Sequence, residues 1–238
     1  MKMEWYEELD FDDNPFKKEG KTVGYDDLLE DVFYSIIAGN MLFIEGESGT
    51  GKTKLLKEAV NRFGGHGKVI YVNCKQLHKE LNVERLLKDK YGWFSTRLLN
   101  KKPKNMILLL DEVEHLSKRN CERIKYYFDQ NYLRSVIFAS HDFDVVDLNE
   151  SIKQRIHKKL TVKNLSDYEA VQMVKEKIGE EVLSDRIIKH VYKLSNKNNK
   201  RFLENSEIVC KIASQNKDLK EEDVEKILEE TGIPAVAK

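Results

Sequence analysis

The sequence predicts an α/β fold, with helices flanking a parallel sheet of five strands, followed by a small all-helical domain. Two observations predict it. Short apolar segments alternate with amphipathic segments as far as Lys163, and strands that alternate with helices form parallel sheets through right-handed crossovers. After Lys163 only segments of helical periodicity follow. We therefore expect an α/β domain over residues 1–163, with an N-terminal arm over residues 1–22, and a helical domain over residues 164–238.

The predicted strands are short and apolar. The first ends at a glycine, and the run MILLL in the third is apolar without interruption, which is typical of a strand buried on both faces. The five predicted strands are Met41–Glu45, Lys68–Asn73, Met106–Leu110, Ser135–Ala139 and Lys159–Val162.

The predicted helices carry apolar residues three and four positions apart. Those of the α/β domain are Asp26–Ala38, Lys52–Phe63, Val83–Leu99 and His115–Gln130. Those of the helical domain are Ser166–Ile178, Ser184–Leu194, Lys200–Gln215 and Glu221–Thr231. Ser166 followed by Glu169 has the capping-box pattern that marks a helix start.

The composition excludes several classes of protein. Lys and Arg total 41, as do Asp and Glu, so a histone-like protein that coats nucleic acid by bulk charge is excluded. Apolar residues make up 40% of the chain, which is enough for a core and excludes general disorder. We expect no membrane span and no signal peptide. Cys74, Cys121 and Cys210 lack metal-ligand spacing, and we interpret them as free thiols in a reducing cytoplasm.

The segment GESGTGKT after the first strand fits G-x-x-x-x-G-K-[ST], the phosphate-binding loop. Glycines let backbone N–H groups turn inward as an anion-binding nest, and the following helix adds its positive N-terminal end. Lys52 supplies a charge for the β- and γ-phosphates, and Thr53 offers a hydroxyl to Mg²⁺. The alternative is a chance match in a glycine-rich turn, but here a strand precedes the motif and a helix follows it. The predicted nucleotide-binding residues are Gly46, Glu47, Ser48, Gly49, Thr50, Gly51, Lys52, Thr53 and Lys54.

The third predicted strand ends in two carboxylates, which a nucleotide hydrolase needs beside such a loop. Asp111 would hold the water shell of the metal ion. Glu112 would polarise the attacking water. The alternative is an ordinary strand that ends in solvent-facing acids. With the loop present, we predict a metal site formed by Thr53 and Asp111.

The ordered motifs resemble those of the AAA+ ATPases, and among them the origin-recognition initiators and the clamp loaders. The resemblance extends from about Asn14 to Glu230. It implies a P-loop NTPase sheet with a helical lid, and ATP or ADP with Mg²⁺ as cofactors. The segment Val23-Gly24-Tyr25 is similar to the one that packs near the adenine, although the family usually has Arg or Lys where Tyr25 stands.

The resemblance also implies residues that sense the γ-phosphate. The segment ending Ser140-His141 is similar to the strand that carries the first sensor, where the family usually has Asn in place of His141. Either Ser140 or His141 could fill the role. Arg201 matches the second sensor in the lid, with Lys200 as its rival, although Asn198-Asn199 replaces the usual Gly-Asp.

Arg155 matches the arginine finger, which acts on the nucleotide of a neighbouring subunit. The alternative is a surface arginine in a basic run. Together with the residues above, it completes the predicted catalytic set of Glu112, Lys52, Arg155, Arg201, His141 and Ser140.

The resemblance implies an ATP-driven switch that assembles with copies of itself or with another AAA+ subunit, and that acts on a protein partner in DNA replication or related DNA transactions. Initiators usually carry a winged-helix DNA-binding domain after the lid, whereas only Gly232–Lys238 follows the last predicted helix. We therefore expect DNA contact, where it occurs, to use another surface. The alternatives are a transposition target selector, a secretion accessory ATPase, and a nucleotide-locked scaffold with slow turnover. His141 in place of Asn would allow the scaffold, whereas the intact Lys52, Asp111 and Glu112 weigh against it.

Overall fold

The computed structural model of the chain describes residues 4–18, 20, 22–64, 68–77, 81–91, 104–216 and 219–231. The part of the third predicted helix beyond Tyr91 and the C-terminal segment 232–238 lie outside these ranges. The chain divides into two compact units. One is Tyr25–Lys163, and the other combines Met1–Gly24 with Asn164–Lys238.

The first unit contains the parallel five-stranded sheet that the sequence predicts. Its strands are β1 Met41–Glu45, β2 Val69–Asn73, β3 Met106–Asp111, β4 Leu133–Ser140 and β5 Ile156–Thr161. They lie in the order β2-β3-β4-β1-β5, and every neighbouring pair is parallel. The segments that follow β1, β3 and β4 therefore all leave the sheet at the carboxyl ends of its strands. The predicted site lies at these ends.

Helices connect the strands as the alternating pattern predicts. Those of the first unit are α1 Asp26–Ala38, α2 Lys52–Phe63, α3 Val83–Tyr91, α4 Lys118–Asp129 and α5 Glu150–Lys153. The structure places the start of α4 three residues later than predicted, because Val113–His115 form a 3-10 turn. Ser117 then caps the helix through its hydroxyl, which accepts the Asn120 N–H at 3.3 Å.

The core of the first unit lies on both faces of the sheet, and the central strands are almost inaccessible to solvent. On one face Phe43 of β1 and Phe138 of β4 stack with their ring centroids 6.5 Å apart. Phe143 packs edge-on against Phe43 at 4.8 Å, a favoured geometry for aromatic rings. This packing fixes β1 and β4 side by side, and both strands lead into the predicted site.

The second unit is helical after residue 164, with α6 Asp167–Ile178, α7 Asp185–Leu194, α8 Asn199–Ala213 and α9 Glu221–Glu230. The predicted capping box at Ser166 is present, since Ser166 and Glu169 satisfy each other's backbone N–H groups. Tyr192 is buried, packs against Phe202 at 4.9 Å and donates its hydroxyl proton to the Leu165 carbonyl at 2.9 Å. No helix in the described part of the chain combines the length and the apolarity needed to cross a bilayer.

The N-terminal arm packs within the helical unit, whereas the predicted division grouped it with the α/β domain. Asn14 donates a hydrogen bond to Glu207 of α8 at 2.6 Å. Lys177 of α6 donates to the carbonyls of Pro15 and Lys18 at 3.2 and 2.7 Å. These partners lie more than 150 residues apart along the chain, so periodicity within the arm carries no information about them.

Candidate nucleotide-binding site

The loop between β1 and α2 depends on glycines at positions where a side chain would not fit. Gly49 and Gly51 have φ values of 85° and 111°, in the left-handed region that favours glycine. A Cβ on Gly46 would lie 2.5 Å from the Val162 carbonyl oxygen, and one on Gly51 would lie 2.9 Å from the Tyr25 hydroxyl. Close packing on both sides therefore fixes the path of the loop.

Lys52 begins α2 and folds back across the loop. Its Nζ donates to the carbonyls of Gly46 and Glu47 at 2.5 and 2.9 Å. Burial lowers the pKa of Lys52, while the negative charges of Asp111, Glu114 and Glu112 oppose the decrease. The ammonium group thus lies between the loop and a group of carboxylates.

Tyr25 supports the loop from the start of α1. Its ring is buried, and its hydroxyl donates to the Thr50 carbonyl. The tyrosine that stands where AAA+ proteins usually have Arg or Lys therefore packs directly against the phosphate-binding loop. Val23 is buried, and Gly24 packs against Glu169 of the helical unit. The adenine contacts of all three residues stay a prediction.

The loop and the acidic strand end meet through a hydrogen bond. Thr53 Oγ1 donates to Asp111 Oδ2 at 2.7 Å, and the Asp111 side chain is only 1% exposed. The hydroxyl proton points at Asp111, so the two lone pairs of Thr53 Oγ1 stay available to a cation. Hydroxyl and carboxylate oxygens are ligands that Mg²⁺ prefers. The two residues fit the predicted magnesium site.

Glu112 adopts a left-handed backbone conformation at φ 53°. Non-glycine residues are uncommon in this region and cluster at functional sites. The conformation ends β3 immediately after Asp111 and begins the turn that carries Glu114. Asp111 and Glu112, which are predicted to act together, are therefore consecutive in sequence, but Asp111 belongs to the strand and Glu112 to the turn that follows it.

Glu114 connects this turn to the end of β4. Ser140 Oγ donates to Glu114 Oε2 at 2.7 Å, and His141 Nδ1 lies 3.6 Å from Oε1. Burial raises the pKa of Glu114, but the hydrogen bonds from Ser140 and His141 outweigh it and hold the pKa below the ordinary value. Ser140 is 1% exposed, whereas the His141 side chain is 52% exposed. The backbone carbonyl of His141 accepts the Gly46 N–H at 3.3 Å, so both predicted sensors lie beside the loop.

A family model described as AAA domain (AAA_14) matches residues 38–171, which is more than half of the chain. The protein belongs to the AAA domain family. This match includes the loop, Asp111, Glu112, Ser140, His141 and Arg155. No curated protein sequence matches the chain.

Solved AAA+ structures have the same fold. The RuvB Holliday junction branch migration motor of Thermotoga maritima is 14% identical, with a TM-score of 0.68 over 90% of this chain and 71% of that one. The Orc1 protein of Aeropyrum pernix, solved in complex with DNA, is 16% identical, with a TM-score of 0.68 over 96% and 69%. Cdc6p of Pyrobaculum aerophilum is 15% identical, with a TM-score of 0.69 over 92% and 71%. At these identities the likeness shows the fold alone.

Arg155 lies at the amino ends of the parallel strands, whereas the loop lies at their carboxyl ends. It directly precedes β5, and Ile156 pairs with Met41 at the first residue of β1, whereas the loop follows the last residue of β1. Its guanidinium donates to both Asp129 oxygens at 2.9 and 3.1 Å and to the Ser151 carbonyl at 2.6 Å. Burial raises the pKa of Asp129, but the hydrogen bonds from Arg155 and Lys125 lower it overall. A strand of five residues spans about 17 Å, so Arg155 is far from the loop of its own subunit.

Arg201 lies in the helical unit, in the first turn of α8. Asn198 caps this helix by accepting the Arg201 backbone N–H at 3.1 Å, and the Arg201 side chain is half-buried. The neighbouring Lys200 is exposed, with Glu204 4.0 Å away. The role of Arg201 as second sensor stays a prediction.

Tyr71 of β2 is a member of the site that the sequence does not reveal. Its hydroxyl donates to Asp111 Oδ2 at 2.9 Å. A tyrosine in a short strand has no spacing that marks it as functional. Only the register of β2 against β3 brings it to Asp111, and that register is a property of the folded sheet.

Replacing Ser140 with Ala is expected to raise the pKa of Glu114, because the variant loses a hydrogen bond that favours the charged carboxylate. NMR titration of the glutamate side chains measures the change, and Ser140→Thr, which keeps a hydroxyl, should retain the lowered pKa. Because the folded-state pKa lies below the unfolded value, the stabilisation from Glu114 is present above the unfolded pKa and is lost as pH falls through the folded pKa. Equal Glu114 pKa values in Ser140→Ala and wild type would contradict the assignment.

Proposed function

We propose that this AAA domain protein binds and hydrolyses ATP with Mg²⁺ and uses the cycle to switch its association with neighbouring subunits or a partner. The observation that carries the proposal is the 2.7 Å hydrogen bond between Thr53 and Asp111. It joins a glycine-rich loop that can bind phosphates to a buried carboxylate that can hold the water shell of a metal ion. Neither feature alone would support hydrolysis.

The residues of the site divide the chemistry among them. The loop N–H groups and the first turn of α2 bind phosphate oxygens, and Lys52 neutralises charge on the β- and γ-phosphates. Thr53 and Asp111 would hold Mg²⁺, which neutralises the charge that develops on the phosphates. Glu112 orients and polarises the attacking water. Tyr25 keeps the loop in its binding conformation through the Thr50 carbonyl.

The geometry favours His141 over Ser140 as the first sensor. The Ser140 hydroxyl donates its single proton to Glu114, so it has none left for a phosphate oxygen. The His141 ring is half-exposed, and the backbone carbonyl of His141 accepts the N–H of Gly46, the first glycine of the loop. In this arrangement Ser140 and Glu114 hold the end of β4, and His141 contacts the γ-phosphate or the attacking water.

We infer that a complete site needs a second subunit. Arg155 is at the far edge of its own sheet, so it would act as a finger on the nucleotide of a neighbour, which is either a second copy or another AAA+ subunit. Arg201 of the helical unit would act as the second sensor. The use of ATP-dependent assembly in DNA replication or a related DNA transaction is supported by the resemblance to initiators, and by solved structures of the same fold that contain DNA.

The three cysteines are buried free thiols, which a reducing cytoplasm maintains.

Replacing Lys52 with Ala is expected to abolish tight nucleotide binding, because the loop loses the charge that faces the phosphates. Titration of a fluorescent ATP analogue measures the affinity. Lys57→Ala is the matched control, since Lys57 is an exposed lysine on the same helix and its loss should leave the affinity unchanged. Equal affinities of Lys52→Ala and wild type would remove the loop from the site.

Replacing Glu112 with Gln is expected to keep ATP bound but to lower phosphate release by on the order of 100-fold or more, because the amide is a poor base for the attacking water. Steady-state phosphate release measures the rate, and Glu30→Gln, at an exposed position on α1, is the control. A wild-type rate that is already as slow as that of the variant would identify a nucleotide-locked scaffold instead.

Replacing Arg155 with Ala is expected to lower turnover by on the order of 10³-fold without weakening nucleotide affinity, because a finger stabilises charge in the transition state. Mixing this variant with Lys52→Ala subunits should restore part of the turnover, since a Lys52→Ala subunit can still donate its own Arg155. Turnover that is independent of protein concentration, with no recovery in the mixture, would show that Arg155 does not act in trans.

A further inference from the structure

Tyr71 reaches the end of β3 from the neighbouring strand. In the parallel pairing of β2 with β3, Tyr71 lies opposite Leu109 and Asn73 lies opposite Asp111. Side chains two residues apart in a strand share one face of the sheet, so Tyr71 and Asp111 share a face. The tyrosine is long enough to span two residues along the strand, and its hydroxyl lies 2.9 Å from Asp111 Oδ2.

The Asp111 carboxylate is held by three donors. Thr53 and Tyr71 both donate to Oδ2, at 2.7 and 2.9 Å, and the Glu112 backbone N–H donates to Oδ1 at 3.1 Å. An ionised carboxylate offers about four acceptor positions. About one position, on Oδ1, is then left for a metal-bound water, and the donors from three directions prevent the carboxylate from rotating.

We propose that Tyr71 is a positioning residue of the Mg²⁺ site, which acts by fixing the orientation of the Asp111 carboxylate. This inference rests on the proposed function, because it assigns to Asp111 the water shell of the metal ion. Thr53 is itself a predicted ligand of the metal ion, so its hydroxyl would contact the ion as well as Asp111. Tyr71 approaches from β2, outside the loop, and its bond does not depend on the nucleotide.

The hydroxyl of Tyr71 is suited to this role. A phenolic hydroxyl is protonated at neutral pH, so Tyr71 stays a hydrogen-bond donor to Asp111. Tyr71 is 36% exposed. Water can therefore replace the lost hydroxyl in a phenylalanine variant, but a mobile water does not fix the carboxylate.

The test compares Tyr71→Phe with wild type in the binding of a fluorescent ADP analogue, first in EDTA and then across a Mg²⁺ titration. In EDTA the two proteins should bind the analogue equally, because the loop is unchanged. In the titration, the Mg²⁺ concentration at the midpoint should be about tenfold higher for the variant, the lower end of the effect of losing a residue that orients a metal ligand. Tyr126→Phe, an exposed tyrosine on α4, should match wild type in both conditions.

Two results would overturn the inference. An unchanged Mg²⁺ midpoint would show that Asp111 does not need Tyr71. A loss of affinity already present in EDTA would show that Tyr71 supports the loop or the fold rather than the metal site.

Two further measurements serve as controls. Thermal unfolding without nucleotide identifies a merely destabilised variant, and a binding measurement with Mn²⁺, read from the electron paramagnetic resonance of the free ion, gives a second value for the metal affinity. The proposed function fails separately, when wild type itself shows no nucleotide binding or no effect of Mg²⁺.

Discussion

The hydrogen bond between Thr53 and Asp111 connects two strands that are not neighbours in the sheet. Thr53 follows β1 and Asp111 ends β3, with β4 between them. Two strand spacings amount to about 9.5 Å, a gap that neither side chain crosses alone. The loop bridges it, with Gly49 and Gly51 in the left-handed conformations that its path requires, and α2 then packs against β3. Phosphate binding and metal binding thus depend on the same turn of the backbone, and a change in the loop alters both.

The two ends of the parallel strands carry different predicted functional groups. The carboxyl edge carries the loop, Asp111, Glu112 and His141, whereas Arg155 lies at the amino edge in a fork with Asp129. Bidentate pairing with Asp129 keeps the guanidinium in one orientation, so the arginine is ordered before any neighbour arrives. If Arg155 acts as the proposed finger, it would lose little side-chain entropy on docking, but it would have to exchange the Asp129 carboxylate for phosphate. In the proposed function this exchange would make assembly depend on the nucleotide, because a highly charged phosphate competes better with Asp129 than a neutral group does.

The features that the sequence predicts well are local, and those that it misses depend on pairing between distant segments. The apolar run of β3 and the glycine-rich loop each carry their own signal, and both lie where predicted. The sequence predicts β5 from Lys159, but the strand begins at Ile156, because the exposed polar residues His157 and Lys158 hide the start of an edge strand. Tyr71 and the partnership of Ser140 with Glu114 depend on strand register, which no spacing within one segment encodes. The N-terminal arm belongs to the helical unit through contacts made across more than 150 residues, for the same reason.

The charges around Lys52 explain why the metal ion is integral to such a site. Asp111, Glu114 and Glu112 all interact with its ammonium group, so three carboxylates face one fixed positive charge. A triphosphate that entered alone would add negative charge to a surplus of negative charge in a partly buried region, where such repulsion is poorly screened. Glutamate is ionised at neutral pH, and the lowered pKa of Glu114 extends this negative charge to more acidic pH. Thr53 and Asp111 would hold a divalent cation, whose charge would offset this repulsion. In the proposed function, the acidic end of the sheet would therefore favour the nucleotide together with its metal ion, and the donors that orient Asp111 would contribute to that preference.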